Sequence, residues 1–169
     1  VLALDAVLTG AKGLNLWSSF RVPPPQRSAR LYRALVERGL ASCVFGALMP
    51  TAEPFLYTLS ATATDNTPLA SVESALLEEL DRVCREGVTD AELTKAKAQL
   101  RARLVFDSDS VTNIAHQLGY FETIAKVDAF LEAPSRIAAV SLDSVGAAAR
   151  RLFAAANRTV GYFDPLPIG

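Results

Sequence analysis

The chain has 169 residues, half of them hydrophobic, enough to fill the core of a single domain spanning 1–169. Its 17 Lys plus Arg stand against 18 Asp plus Glu, a net charge of −1, so no whole-chain field recruits nucleic acid or an anionic membrane. Only Cys43 and Cys84 are present, which argues against a disulfide framework and fits a reducing compartment, and no run of roughly 20 apolar residues could span a bilayer.

The chain opens at Val1 directly into a helical pattern, without a cap or a signal-peptide layout, and therefore reads as a soluble piece of a longer protein. Whether that protein is cytoplasmic or periplasmic is left open by these residues.

Leu4, Val7, Leu8 and Ala11 recur at helical spacing, and Gly10-Ala11-Lys12-Gly13 reads as a turn rather than a phosphate loop, since it follows a helix pattern. Pro23-Pro24-Pro25 predicts an extended loop, followed by a helix from an N-cap at Ser28 to Arg38, with Gly39 as its stop. Ala41, Cys43, Phe45, Ala47 and Met49 alternate along a predicted strand ending at Pro50. In a second strand Phe55, Tyr57, Leu59, Ala61 and Ala63 share the apolar face. Asp65-Asn66-Thr67-Pro68 turns the chain into a helix striped by Leu69, Val72, Leu76, Leu80 and Val83 and ended by Gly87.

Thr89 and Glu92 have capping-box spacing ahead of a stripe of Leu93, Ala96, Leu100 and Leu104. A further helix carries Val111, Ile114, Leu118 and Phe121, with Asp107 and Asp109 read as its caps in preference to a catalytic carboxylate pair. A short helix near Ala129, one from Ser141 to Phe153, and a closing strand Thr159–Phe163 complete the order. Consecutive strands with helices gathered elsewhere predict a two-layer α+β fold, an antiparallel or mixed sheet with helices on one face.

His116 is the only histidine, so neither a two-histidine nor a three-histidine zinc motif can be assembled within the chain. A site from Cys43, Cys84 and His116 would need three distant residues to converge, and His116 reads instead as a helix residue beside Ala115 and Leu118. No Gly-x-Ser-x-Gly elbow or recognisable nucleophilic cysteine is present. Arg27, Arg30, Arg33 and Arg38 form a basic cluster that ordinarily would be a solvated face and that could meet an acidic partner; without interleaved aromatics it does not point to nucleic acid.

The segment Ser28–Ser42 resembles a signature of the second-half domains of pitrilysin-type zinc metallopeptidases, the group that includes insulin-degrading enzyme and mitochondrial processing peptidase. Thr89-Asp-Ala-Glu-Leu-Thr-Lys-Ala-Lys97 is similar to that family's Thr-x-x-Glu-Leu-x-x-Ala-Lys helix start, and Thr159–Pro165 to its final strand. The resemblance implies paired α/β domains, with zinc held by a His-x-x-Glu-His motif in a first-half domain of the parent chain or in a partner. It implies that this chain is a non-catalytic wall of a chamber in which peptides bind as an added strand. It also implies that the domain's first strand precedes Val1, leaving a sheet edge open.

In many family members the signature holds an arginine and, seven residues on, a tyrosine that grip the substrate backbone. The matching substrate-binding positions here are Leu35 and Ser42, which cannot supply a guanidinium or a phenol. Arg33 and Arg38 lie nearby but, at α-helical spacing, on different faces. One reading makes the chain part of a zinc peptidase, inactive alone, with the clamp supplied by a second peptidase-like subunit. The other makes it part of a catalytically inactive homologue serving as an assembly scaffold. A small-molecule binding module of similar topology is a third reading, for which no residue identifies a ligand.

Overall fold

The computed structural model describes residues 1–13, 26–48, 50–53 and 55–164. Helix α1, Leu2–Leu8, is too short to persist alone in water, and it is held by enclosure: every residue from Ala3 to Leu8 is buried. Two helices later in the chain, Asp90–Asp107 and Leu142–Leu152, and the strand Ala41–Leu48 pack on it, and the predicted stripe of Leu4, Val7, Leu8 and Ala11 lies in the main core. Burying a leucine such as Leu4 or Leu8 contributes on the order of 1.5–3 kcal/mol.

The next helix does form, ending at Gly39 in the left-handed region (φ 72°), but residues Tyr32–Val36 are π-helical rather than α-helical. Strands β1, Ala41–Leu48, and β2, Tyr57–Ala63, then pair antiparallel in a two-stranded sheet. Along β2 the expected alternation holds: Tyr57, Leu59, Ala61 and Ala63 are half-buried, and Thr58, Ser60 and Thr62 are exposed. Phe55 departs from it, lying before the strand and 67% exposed.

The phase predicted for β1 also changes. An irregularity in the pairing between Ala41 and Cys43 inserts a bulge, after which Val44 pairs with Ala61 and Gly46 with Leu59. The extra residue puts Ala41, Val44 and Gly46 inward and leaves Cys43 exposed, so a strict period of two from Ala41 to Ala47 fails. Met49 lies outside the described residues.

Helix α2, Leu69–Glu86, buries Val72, Leu80 and Val83 as its stripe predicts, together with Ala75 and Glu79, and Gly87 at φ 75° stops it. In α3, Asp90–Asp107, the buried residues are Leu93, Ala96, Leu100 and Leu104, the predicted set. The capping box is present: Thr89 Oγ1 accepts from Glu92 N at 3.2 Å while Thr89 N donates to Glu92 Oε2 at 2.8 Å. Thr89→Ala is therefore expected to lower unfolding free energy by about 1 kcal/mol, read from the shift in urea midpoint at constant slope.

Helix α4, Val111–Ile124, is capped by Ser110, whose hydroxyl accepts from Asn113 N, and not by Asp107 or Asp109. Asp107 is instead the last residue of α3, and its carbonyl accepts from Gln117 Nε2 at 2.9 Å. Val111, the first residue of α4, is 85% exposed, while Phe121 stays in the core. Two short helices, α5 (Val127–Leu131) and α6 (Ala133–Ala138), stand where one was predicted, with a proline in the first turn of the second. Helix α7, Leu142–Leu152, follows an N-cap at Ser141.

The closing segment forms no strand: Val160, Tyr162 and Phe163 are exposed, and the Tyr162 hydroxyl bonds to Glu73. Its composition suits a strand, but a strand needs a ladder partner for its amides, and none lies beside it among the described residues. The observed class is the expected α+β, with one face of an antiparallel sheet packed on helices. Val44 and Leu59 pack on the main core, while Ala41, Ala61 and Ala63 join a smaller cluster with Leu35, Val72 and Ala75.

Candidate functional site

The chemistry-bearing residues gather where the π-helical turn meets α2, the start of α3 and the sheet. Of the two positions matching the substrate clamp, Leu35 is completely buried between the turn and α2, against Val72 and Ala75. Ser42 is exposed on β1, and its hydroxyl donates to the carbonyl of Thr62 at 3.2 Å. One side chain is thus packing and the other is tied to the neighbouring strand.

Arg30 sits just before the turn and anchors it. Its Nε and Nη2 donate to the two carboxylate oxygens of Glu92, each at 2.7 Å, and Nη2 also reaches the carbonyl of Gly87 at 3.2 Å. Its Nη1 lies 3.5 Å from Glu79, which also pairs with Arg82 at 3.1 Å. Bidentate pairing of this kind is directional as well as strong. The Arg30 hydrogen bonds, aided by the Thr89 amide and hydroxyl and opposed by burial, hold the Glu92 carboxyl at a pKa of about 2.

Glu92 therefore serves two elements, capping α3 and clamping Arg30. Only the first role is visible in the sequence, because Arg30 lies 62 positions away and no local spacing announces the pair.

A second buried polar cluster joins α1 to the sheet. Asp5 Oδ1 accepts from Thr9 Oγ1 at 2.6 Å and from the Tyr57 hydroxyl at 2.8 Å, while Oδ2 accepts from Lys12 Nζ at 2.9 Å. Gly46 on β1 is pressed against it: a Cβ there would fall 2.6 Å from Asp5 Oδ1. Burial, then the negative charge of Asp5, pushes the Tyr57 hydroxyl well above its ordinary pKa. A buried carboxylate held by a lysine and two hydroxyls of the same chain is a fastening.

Arg33 and Arg38 overturn an expectation. They line the same groove, of about 480 Å³, between the turn and α2. An α-helix would turn residues five apart by about 140°. Here Glu37 N donates to Tyr32 O at 3.1 Å and Leu40 N to Leu35 O at 2.9 Å, i→i−5 bonds that take an extra residue into each turn.

The donor set does not fit a zinc ion of the family's kind, since such a motif needs two histidines and the chain has one, His116, exposed on α4. Cys43 lies on β1 and Cys84 on α2, and no three His, Cys, Asp or Glu side chains group as metal ligands among the described residues. No metal step is derived from this chain.

Fold and site together define an α+β domain whose buried carboxylates Asp5 and Glu79 are answered by cations of the same chain. Residues 2–100, more than half of the chain, match the family described as the peptidase M16 inactive domain, and the chain belongs to that family of pitrilysin-type zinc metallopeptidases. Among solved structures, it is similar to a candidate zinc protease from Bordetella pertussis Tohama I, with 23% identity, a TM-score of 0.79, and coverage of 97% of this chain and 83% of that one. The inactive peptidase domain of a candidate zinc protease from Bordetella parapertussis superposes with a TM-score of 0.82 at 22% identity, covering 98% and 82%. A protease from Helicobacter pylori gives a TM-score of 0.72 at 15% identity, covering 89% of this chain and 33% of that one. No curated protein matches the chain. At these identities the structures establish the fold alone, and the family assignment rests on the sequence match.

Proposed function

We propose that residues 1–169 act as one non-catalytic domain walling the substrate chamber of a zinc metallopeptidase, with the zinc in another domain of the parent or in a partner subunit. The observation that carries this reading is the match to an inactive-domain family in a chain whose histidine content cannot build the zinc motif. The peptide-gripping arginine and tyrosine then come from a second peptidase-like subunit, because Leu35 serves packing and Ser42 serves the strand pair. No helix among the described residues is long and apolar enough to cross a membrane.

The scaffold reading, in which the parent has lost its peptidase activity, has the same domain and differs only in the partner's chemistry. Combining the chain with a zinc-bearing half and following turnover of an unstructured peptide separates them, with turnover supporting the chamber-wall reading. Leu35→Met with Ser42→Ala preserves packing volume and is expected to keep turnover within about threefold. A hundredfold loss with folding intact, about 2.7 kcal/mol, would show that these positions carry transition-state stabilisation.

A further inference from the structure

We propose that the strip between β2 and the closing segment Thr159–Phe163 is a docking slot for one added β-strand, taken by an extended partner segment that is uncharged and apolar at alternate positions. The closing segment travels the length of β2. It leaves α7 at Phe153, whose ring stands 6.0 Å from that of Tyr57, the first residue of β2. It reaches Glu73 through the Tyr162 hydroxyl, and Glu73 lies in the opening turns of α2, the helix that follows β2 after the turn at residues 65–68. Despite this shared course the two form no ladder. Among the described residues the backbone of Thr159–Phe163 makes no hydrogen bond, and β2 is paired with β1 alone.

Two neighbouring rows of unpaired amides and carbonyls are what an inserted strand needs, because it can then bond on both sides as an interior strand does. The side chains agree with this. Open edges are ordinarily defended by lysine, proline or a bulge. Neither Tyr57–Ala63 nor Thr159–Phe163 holds a charged residue or a proline, and the sheet's bulge lies in β1 beside Ala41. Val160 and Tyr162 are 44% and 58% exposed, largely apolar surface that a neighbouring strand would cover. The added strand's apolar positions would extend the layer of Leu59 and Ala61 toward the helices, and its polar positions that of Thr58 and Ser60. A charge at one of those apolar positions would be desolvated without a partner, which disfavours acidic and basic segments.

The test uses the full chain and a fluorescent peptide, Lys-Thr-Val-Thr-Val-Thr-Val-Thr-Lys, its uncharged stretch held in solution by the terminal lysines. Binding is followed by anisotropy, and amide hydrogen exchange is read by mass spectrometry. Saturable binding is expected, with exchange slowed in both Tyr57–Ala63 and Thr159–Phe163. Replacing the peptide's central valine by proline, or its valines by glutamate, should weaken binding at least tenfold. Val160→Pro with Gly161→Pro removes amide donors on both sides of an exposed segment and should weaken binding equally, with the thermal midpoint almost unchanged. Absence of saturable binding, protection confined to one of the two segments, equal binding of either altered peptide, or undiminished binding by the double proline variant would each overturn the proposal. So would self-association that protects the same amides without peptide, since the occupant would then be a second copy. Binding is read without a zinc-bearing half, so its failure would leave the chamber-wall reading standing.

Discussion

Replacing Arg30 by methionine is expected to lower unfolding free energy by about 3–5 kcal/mol, the range for breaking a buried ion pair by deleting one partner. The Arg30 side chain is 11% exposed and that of Glu79 is 7% exposed, so the variant leaves a carboxylate in the interior with only Arg82 nearby. It also frees Glu92 and uncovers the carbonyl of Gly87. Methionine fills most of the space, so the loss would report on charge and hydrogen bonding rather than on a cavity. Urea unfolding of Arg30→Met, and of Arg30→Met combined with Glu79→Gln, measures it. The double variant should recover part of the loss, because it removes the stranded charge.

The same cluster sets an acid limit. The Glu92 carboxyl is lowered from 4.5 to about 2 on folding. A depressed carboxyl pKa contributes stability that is full above the unfolded value and is lost as pH falls from about 4.5 towards 2. Glu92 is partly open to water, so about 1–2 kcal/mol is assigned to it after screening. The wild-type thermal midpoint should therefore fall more steeply over that interval than that of Glu92→Gln.

Asp5→Ala is the second large effect, again about 3–5 kcal/mol. It strips Lys12, Thr9 and Tyr57 of a shared acceptor in a place too enclosed for bulk water to replace it. Asp5→Asn keeps the shape and one acceptor, and is expected to lose only about 1–3 kcal/mol. Gly46→Ala approaches the same point from β1, since its Cβ would meet Asp5 Oδ1 and Thr9 Oγ1 at 2.6 and 2.7 Å. A loss under about 1 kcal/mol in Asp5→Ala by denaturant unfolding would show that the cluster is not fastening α1 to the sheet.

Elements governed by local rules were legible in the sequence. The Thr89 and Glu92 capping box, the α3 stripe and the glycine stops at Gly39 and Gly87 follow from backbone groups near in sequence, and the structure reproduces them. Of the three short segments that carried the family resemblance, Ser28–Ser42 and Thr89–Lys97 lie within the matched residues 2–100, and Thr159–Pro165 lies outside them.

What could not be read were features made by long-range contact or by a change of period. The bulge beside Ala41 shifts the facing of β1, and the π-helical turn shifts that of Arg38. Both violate the fixed periodicity on which pattern reading depends. The role of Asp5 could not be read locally, because its partners Lys12 and Tyr57 come from beyond α1 and from β2. The closing segment Thr159–Phe163 has strand composition without a pairing partner among the described residues, and composition alone cannot supply one.

The central claim, that this is a non-catalytic domain of a zinc peptidase family, is tested most directly by metal analysis of the purified chain together with its activity on an unstructured peptide. The account predicts no stoichiometric zinc and no chelator-sensitive cleavage, because one histidine and two separated cysteines cannot furnish the ligands and general base of such a site. One tightly held zinc per chain, with peptide cleavage abolished by chelator and restored by zinc, would contradict it.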